Sequence, residues 1–187
     1  MSTKSTKLTD RIKEWKEIHG GVFEFQVDDK TCYLREPKMQ DFKRAFSALQ
    51  DDSEIAFGEE MLAALWLDGD QEIKLNDDYF LTARRDLTKL LKYDDAEIND
   101  GENRQSIIKI GDHSVTVRVI TREDLKLAEK RNPAQKPFVT QEILFDMIKV
   151  APVPEEFNDK NNPEIRFPLY TAIEKLQTKK VAQLKKL

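Results

Sequence analysis

A cysteine–histidine pair is the first chemistry to consider in this chain, which contains one cysteine, Cys32, and two histidines, His19 and His113. A catalytic thiolate needs a base beside it, but the pattern places His19 at the end of a helix and His113 in a hairpin turn. The sequence also lacks the Gly-x-Ser-x-Gly, phosphate-loop and dinucleotide-binding motifs. We therefore predict that the protein is not an enzyme and has no catalytic residues and no cofactor.

The densest group of possible metal ligands lies between Asp68 and Asp78. A calcium-binding EF-hand loop requires a glycine at position 6 and a glutamate at position 12. Counted from Asp68, these positions are occupied by Ile73 and Tyr79. Cysteines and histidines with the spacing of a zinc site are also lacking. The sequence therefore predicts no bound metal, and we interpret the acidic residues as a solvated connection that follows a helix.

The chain has 187 residues, of which 35% are charged and 39% hydrophobic, and its formal net charge is −4. This composition is typical of a soluble, helix-rich protein. No apolar run reaches the roughly 18 residues of a membrane-spanning helix, and the N-terminus lacks the apolar core of a signal peptide. A single cysteine suits a reducing compartment. The sequence therefore predicts a cytoplasmic protein without a membrane partner.

Charge is distributed unevenly along the chain. Residues 1–100 contain 15 lysines and arginines against 23 acidic residues, a net charge of −8, and residues 101–187 contain 16 against 12, a net charge of +4. Such an asymmetry favours head-to-tail self-association or electrostatic steering of a partner. A solvated surface without a partner explains it equally well.

The stretch Val27–Ala45 resembles a later stretch of the same chain, Ile110–Ala128, at an offset of 83 residues. The identical pairs are Asp29 and Asp112, Arg35 and Arg118, Asp41 and Asp124, Lys43 and Lys126, and Ala45 and Ala128. In each stretch an apolar run, a polar turn, an alternating run and a helical pattern follow one another. This order predicts a β-hairpin followed by a helix.

Each of these stretches is followed by two further helical segments. They are Glu60–Trp66 and Leu81–Leu87 after the first stretch, and Glu142–Ile148 and Tyr170–Leu176 after the second. We therefore predict a mostly helical α+β fold, built as two tandem units, each a hairpin plus helices, by internal duplication. The predicted domains are an N-terminal helix (1–21), a first unit (22–98) and a second unit (106–187). The alternative is one α+β domain whose hairpins share a common pattern.

Start and stop signals place the individual elements. The predicted helices cover Asp10–His19 with Thr9 as N-cap, Gln40–Leu49, Glu54–Leu67, a segment up to Lys92 that is capped by Asp77 or Asp78, a segment up to Lys130, Val139–Val150, and a last helix with Pro168 in its first turn that runs to the C-terminus. Thr121 followed by Asp124 resembles a capping box, with Asp in place of Glu, at the start of the helix up to Lys130. Tyr93–Gln105 is polar and is interpreted as a linker. Arg35 and Arg118 are expected to tie each hairpin to a following carboxylate, Asp41 or Asp124.

Two segments of the first half, Tyr33–Pro37 (YLREP) and Leu65–Phe80 (LWLDGDQEIKLNDDYF), resemble the tail assembly chaperones encoded by bacteriophages and prophages, particularly those of Bacteroidetes phages. The resemblance covers roughly Val22–Leu91. The second half lacks the Gly-Asp turn and carries Ala151–Pro154 (APVP) in its place. The resemblance implies a non-catalytic protein of the host cell cytoplasm, which binds the apolar helices of the tape measure protein or the tail tube protein during assembly.

Four large apolar residues are candidate contacts for such a partner: Trp15, Phe46, Trp66 and Phe145. Burial in the protein's own core is the alternative for each. Two other functions stay open. The chain could be a structural component of the phage particle, such as a connector or a packaged protein. It could also bind nucleic acid through the lysines near its end (Lys175, Lys179, Lys180, Lys185 and Lys186), although the acidic chain makes this less expected.

Overall fold

The structure is a computed structural model that describes residues 2–178, with side chains from residue 7 onward. The chain divides into two compact units between Lys92 and Tyr93. Each unit combines a three-stranded antiparallel sheet with several helices. The predicted fold class, α+β and mostly helical, is confirmed. That the two units arose by internal duplication stays a prediction.

Unit 1 starts with a helix, forms a hairpin and continues as helices that are interrupted by a third strand. Its elements are α1 (Ser2–His19), β1 (Val22–Val27), β2 (Lys30–Arg35), α2 (Met39–Asp51), α3 (Glu54–Leu65), β3 (Trp66–Gly69), α4 (Glu72–Leu75) and α5 (Asp77–Leu87), followed by a 3₁₀ turn, Thr88–Leu91. The strands lie in the order β1-β2-β3.

Unit 2 starts with a strand that precedes its hairpin. Its elements are β4 (Glu97–Asp100), β5 (Gln105–Ile110), β6 (His113–Arg118), α6 (Arg122–Arg131), α7 (Val139–Ile148) and α8 (Pro163–Gln177), with 3₁₀ turns at Glu102–Arg104 and Glu155–Phe157. The strands lie in the order β4-β5-β6.

Both predicted hairpins are present, and each closes through a two-residue turn. Val27 faces Lys30 in unit 1, and Ile110 faces His113 in unit 2. The first turn residue has a positive φ in each case, +52° at Asp28 and +56° at the equivalent Gly111. Aspartate and glycine tolerate this left-handed conformation better than most residues, so the turn sequence fixes the register of each hairpin.

An arginine at the end of each hairpin binds an aspartate in the first turn of the next helix. Arg35 donates two hydrogen bonds to Asp41, at 2.7 and 2.9 Å. Arg118 binds Asp124 in the same bidentate way, at 2.6 and 2.8 Å. The predicted ties are confirmed, as is the capping box between Thr121 and Asp124. Each pair fixes the angle at which the helix leaves the sheet.

These contacts set the protonation of both aspartates. Burial alone would raise the pKa of Asp41, but hydrogen bonds from Arg35, the Lys38 backbone N–H and Arg44 outweigh burial and lower it. The hydrogen bond from Arg118 is the main cause of the lowered pKa of Asp124, against an opposing effect of burial. Both carboxylates are therefore charged at neutral pH, as bidentate pairing with arginine requires.

The core of each unit lies between one face of the sheet and the helices. Fully buried residues of unit 1 include Cys32, Leu34, Phe42, Met61, Leu65, Ile73 and Ala83. The core of unit 2 contains Ile108, Val117, Leu144, Phe145, Ile148, Phe157, Leu169 and Ile173. These residues alternate along the strands and recur on one side of each helix, which is the pattern expected for a two-layer packing.

Several predicted boundaries are wrong. The first helix starts at Ser2 rather than after Thr9, because no glycine or proline interrupts the preceding residues, and it ends where Gly20 has a φ of +85°. Asn76, not Asp77 or Asp78, caps α5 by accepting a hydrogen bond from the Asp78 N–H. Helical structure after Leu87 changes to a 3₁₀ turn.

The predicted end of the third helix, Leu67, is wrong as well, because α3 ends at Leu65 and Trp66–Gly69 forms β3. Tyr93–Gln105 is not a plain linker, since it contains β4, which pairs with β5. The last helix begins at Pro163 with Asn162 as its cap, so Pro168 lies inside the helix and not in its first turn. The rest of the helix predicted up to the C-terminus lies at residues 179–187, outside the described residues.

A candidate protein-binding groove

An apolar groove of about 440 Å³ lies on unit 1 between α2, α3, α5 and the 3₁₀ turn that follows α5. Its apolar lining consists of Phe46, Leu49, Phe57, Leu81 and Leu91. Leu81 is 46% exposed, although it is a large aliphatic residue on a well-formed helix. An exposed leucine in a concave apolar surface is typical of a binding site rather than of an isolated surface residue.

Three local features of the sequence build this groove. Ser53 caps α3 by accepting a hydrogen bond from the Ala56 N–H at 3.3 Å, which turns the chain sharply between α2 and α3. Phe46 and Phe57 then meet edge to face across these two helices, with ring centroids 5.2 Å apart. These contacts fix one wall of the groove.

The opposite wall is set by the close approach of α3 and α5. A Cβ atom placed on Gly58 would lie 2.8 Å from the Cβ atom of Arg84, so only glycine allows this approach without a shift. Leu81 lies one turn before Arg84 on α5, and it therefore stands at the side of the groove. The groove thus depends on one glycine in the interior of a helix.

The rim of the groove carries charges of both signs. Arg84 Nη1 lies 3.4 Å from Glu54 Oε2, a long contact to a glutamate whose side chain is 82% exposed. Arg84 Nε is buried without a hydrogen-bond partner in the described residues. Arg85 is exposed next to it. Two arginines at the rim of an apolar groove suit a ligand that has apolar anchors and acidic flanking residues.

Of the four predicted contact residues, only Phe46 lies in the groove. Trp15 is half-buried on α1, where it packs on Tyr33 with ring centroids 5.8 Å apart and lies under the Arg11 guanidinium. Trp66 is half-buried on β3, and Lys74 Nζ lies 4.0 Å from its ring centroid. Phe145 is fully buried in the core of unit 2, so its side chain is not at the surface.

The sequence missed Phe57, Leu81 and Leu91 as groove residues. The signal for Leu81 was weak but present, because it stands one position beyond the inward-facing Phe80 on α5. Phe57 lies on a helix that is apolar on most sides, where periodicity does not tell a groove-facing residue from a core residue. Only the packing of three helices from separate parts of the sequence brings these side chains together.

The residues first considered for chemistry are held in structural contacts. The thiol of Cys32 is fully buried, and burial raises its pKa to about 12 against a small opposing effect of Lys74. It is therefore protonated at neutral pH and a poor nucleophile. In the acidic stretch, Glu72 and Asp70 contact Lys30 Nζ at 3.1 and 3.4 Å, and Asp68 contacts Arg11 Nη1 at 2.6 Å. Three of the carboxylates expected to be solvated thus form ion pairs.

The predicted charge asymmetry becomes smaller when it is counted for the observed units. Residues 1–92 contain 15 basic and 19 acidic residues, and residues 93–187 contain 16 of each. The net charges are thus −4 and 0, because four acidic residues between 93 and 100 belong to unit 2. Charge attraction between an acidic and a basic unit therefore no longer supports head-to-tail self-association.

Comparison of the chain with models of known protein families, with curated proteins and with solved structures found no significant match. Among residues 2–178, none of the helices combines the length and the apolar character that crossing a membrane requires. Lys175 lies 3.6 Å from Asp95, and the other lysines considered for nucleic-acid binding lie outside the described residues.

Proposed function

We propose that this protein is a non-catalytic tail assembly chaperone of a phage or prophage, which binds an apolar helix of the tape measure protein, or of the tail tube protein, in the groove of unit 1. The observation that carries the proposal is the open apolar groove between α2, α3 and α5. The resemblance of Tyr33–Pro37 and Leu65–Phe80 to tail assembly chaperones supplies the biological setting, the host cell cytoplasm.

The dimensions and lining of the groove favour a helix as the ligand. Its volume, about 440 Å³, lies in the range of sites that enclose several large side chains. An amphipathic helix presents apolar anchors at intervals of three or four residues, and such anchors dock into apolar grooves between helices. Arg84 and Arg85 at the rim would then pair with acidic residues that flank the anchors.

Exposure of apolar helices is also the problem that such a chaperone has to solve. A long helical protein aggregates when its apolar stripe is uncovered before assembly. A groove that covers a few anchors with moderate affinity shields the stripe and still releases it, because the buried area is small. The proposed role therefore needs no catalytic residue in the groove.

The test is a pull-down of the tagged protein from cells that express the neighbouring genes, followed by mass spectrometry. We expect a long, helix-rich partner or a tube subunit to be recovered. Leu81→Lys places a charge inside the groove and should weaken binding roughly tenfold or more. Leu75→Lys is the matched control, because Leu75 is 80% exposed on α4 and outside the groove lining.

Equal recovery of the partner by Leu81→Lys and by the unaltered protein would contradict the groove as the binding site. Recovery of no partner, together with stoichiometric amounts of the protein in purified particles, would contradict the chaperone function and favour a structural component of the particle. Circular dichroism of both variants should match that of the unaltered protein, since Leu81 and Leu75 are exposed.

A further inference from the structure

β1 forms one edge of the sheet of unit 1, and among residues 2–178 it pairs only with β2. Glu36 N donates to Gly21 O at 2.9 Å, which makes these two residues a hydrogen-bonded pair. In an antiparallel ladder such pairs recur at every second residue. Val22, Glu24 and Gln26 therefore direct their backbone N–H and C=O groups away from β2, toward the open edge.

The equivalent edge of unit 2 is covered. At the offset of 83, Glu24 and Gln26 correspond to Ile107 and Lys109, which pair with Asn99 and Glu97 of β4. The core face beside this edge also differs in burial between the units. Phe23 is 41% exposed, whereas its counterpart Ser106 is 5% exposed. The hairpin of this protein thus accepts a third antiparallel strand on this side in one unit and lacks it in the other.

The sequence of β1, VFEFQV, carries few of the features that protect edge strands from pairing with another chain. It has no proline, lysine, glycine or bulge, and Glu24 is its single charge. The other edge of the sheet is different. There β3 has only four residues, it contains Asp68 and Gly69, and its pairing with β2 includes a register shift.

Exposed apolar residues flank the open edge on both faces of the sheet. α1 crosses the outer face, with Arg11 bound to Asp68 on β3 at 2.6 Å and Trp15 packed on Tyr33 of β2. Its last turn therefore lies toward β1, where Ile18 is 62% exposed. Phe23 is exposed on the opposite face, so a strand added at the edge would bring both residues into an interface.

We propose that β1 pairs with β1 of a second copy of this protein, antiparallel and around a twofold axis at Phe25. In this register Phe25 faces Phe25 of the other copy, and Phe23 faces Val27. Glu24 faces Gln26, an uncharged partner that can hydrogen-bond to its carboxylate. The outward N–H and C=O groups of Glu24 and Gln26 meet those of Gln26 and Glu24, so each backbone group finds a partner.

Charge favours this register over the two neighbouring registers that the ladder allows. A shift of the axis to Glu24 would place the two Glu24 carboxylates opposite each other, and a shift to Gln26 would place Glu24 opposite Asp28. Like charges in directly opposed positions destabilise a strand pair. A twofold contact of this kind is self-complementary and closes as a dimer, with a continuous six-stranded sheet.

The test uses charge changes at Gln26, measured as the dimer dissociation constant by sedimentation equilibrium of the full chain. Gln26→Lys puts a lysine opposite each Glu24 and should tighten the dimer, whereas Gln26→Glu should weaken it. Because each dimer contains two such pairs, each substitution should change the dissociation constant roughly 2- to 30-fold. Both variants replace the same amide, which donates a hydrogen bond to Asp28 O in the unaltered protein.

Gln50→Lys and Gln50→Glu, at an exposed position on α2, control for the change in net charge and should leave the dissociation constant unchanged. Gln26→Pro removes an outward N–H while keeping the bonds to β2. This variant should be a monomer in sedimentation equilibrium and should be folded as judged by tryptophan fluorescence. A protein that stays monomeric at its highest soluble concentration would overturn the proposal. So would equal dissociation constants for the two Gln26 variants.

Amide hydrogen exchange distinguishes a second copy of the protein from another part of the same chain as the partner of the β1 edge. Protection of the Glu24 and Gln26 N–H groups that rises with protein concentration is expected for the dimer. Protection that is independent of concentration, in a monomer, would assign the edge to another part of the same chain and overturn the proposal. The inference does not depend on the proposed function, since Gln26 variants should bind the helix ligand unchanged.

Discussion

Grooves occupy equivalent places in unit 1 and unit 2, but their linings differ. At the offset of 83, the corresponding lining residues are Phe46 and Glu129, Leu49 and Asn132, and Phe57 and Thr140. Apolar residues thus stand at these three positions in unit 1, and polar residues stand there in unit 2, where Pro133, Pro137 and Phe138 also contribute to the lining. The Asn132 amide binds Lys136 O and Thr140 Oγ1, both at 3.0 Å, so the polar lining is satisfied within the unit.

Unit 2 also places its own aromatic residues beside this position. Phe138 stacks on Tyr170 with ring centroids 5.7 Å apart and meets Phe167 edge to face. Tyr93 stacks on the other side of Phe167. The aromatic residues beside the groove of unit 2 therefore pack on one another, whereas Leu81 in the groove of unit 1 is exposed. The shared arrangement of hairpin and helices therefore does not by itself produce an exposed apolar groove.

The sheets differ in the side on which the third strand is added. Leu34 pairs with Trp66 in unit 1, and the equivalent Val117 forms a single bridge with Lys149 in unit 2. Unit 1 extends this pairing through Gly69. Unit 2 has Pro152 at that position, which cannot donate a ladder hydrogen bond, and its third strand comes from the other side.

The Arg–Asp pairs give the strongest test of how alike the units are. The Asp41 side chain is fully buried, whereas that of Asp124 is 8% exposed and pairs with a 41% exposed arginine. Asp41→Ala leaves Arg35 without its partner and should destabilise unit 1 by about 3–5 kcal/mol. Asp124→Ala should destabilise unit 2 by a smaller amount, because its ion pair is more exposed to solvent.

Urea unfolding measures both variants. Trp15 and Trp66 are the two tryptophans of the chain and both belong to unit 1, so fluorescence follows unit 1, while circular dichroism follows both units. Equal losses in the two units would show that burial of the pair does not matter.

Gly69→Ala tests the added strand of unit 1. A Cβ atom at Gly69 would lie 2.4 Å from the Cα atom of Cys32, and its φ of +129° disfavours any L-residue. We expect unit 1 to lose about 2–3 kcal/mol of stability, measured by the fluorescence of Trp66 during unfolding. Gly111→Ala is the control in unit 2, because a Cβ atom there meets nothing within 4 Å. Only the positive φ of Gly111 disfavours alanine, so we expect unit 2 to lose about 1 kcal/mol of stability.

The pH dependence of stability also tests the two Arg–Asp pairs. Asp41 and Asp124 have folded-state pKa values below their ordinary value, so their stabilisation is complete above the unfolded pKa of about 3.9 and is lost as the pH falls through the folded pKa. Each carboxylate contributes a slope of at most about 1.4 kcal/mol per pH unit. Asp124→Asn should reduce the pH dependence of the free energy of unfolding between pH 5 and 2 in unit 2 and leave that of unit 1 unchanged. Unfolding followed by circular dichroism and fluorescence measures both.

Leu49→Asn gives unit 1 the residue that unit 2 has in its groove. Leu49 is half-buried, so the change should destabilise unit 1 by only about 1 kcal/mol. It should weaken the proposed helix binding more than it affects folding, because it adds a polar amide to the apolar lining. Tryptophan fluorescence during unfolding and titration with the helix ligand separate the two effects. Unchanged binding would remove Leu49 from the site.

Local sequence determined the hairpins, the Arg–Asp pairs and the capping box of α6. Each of these depends on residues within about 13 positions of one another, where turn chemistry, side-chain alternation and helix spacing act directly. Arg35 with Asp41, and Thr121 with Asp124, could be predicted because six or three residues separate the partners.

Only the tertiary structure decided the role of the remaining apolar residues. Trp66 follows an apolar helix without any break signal, and it becomes a strand because the edge of β2 is available for pairing. Phe145 and Phe46 stand on similar helices, yet the first is enclosed by α8 and the 3₁₀ turn before it while the second borders an open groove. Burial of a helix face depends on which distant element packs against it, and the spacing of residues along one helix carries no information about that partner.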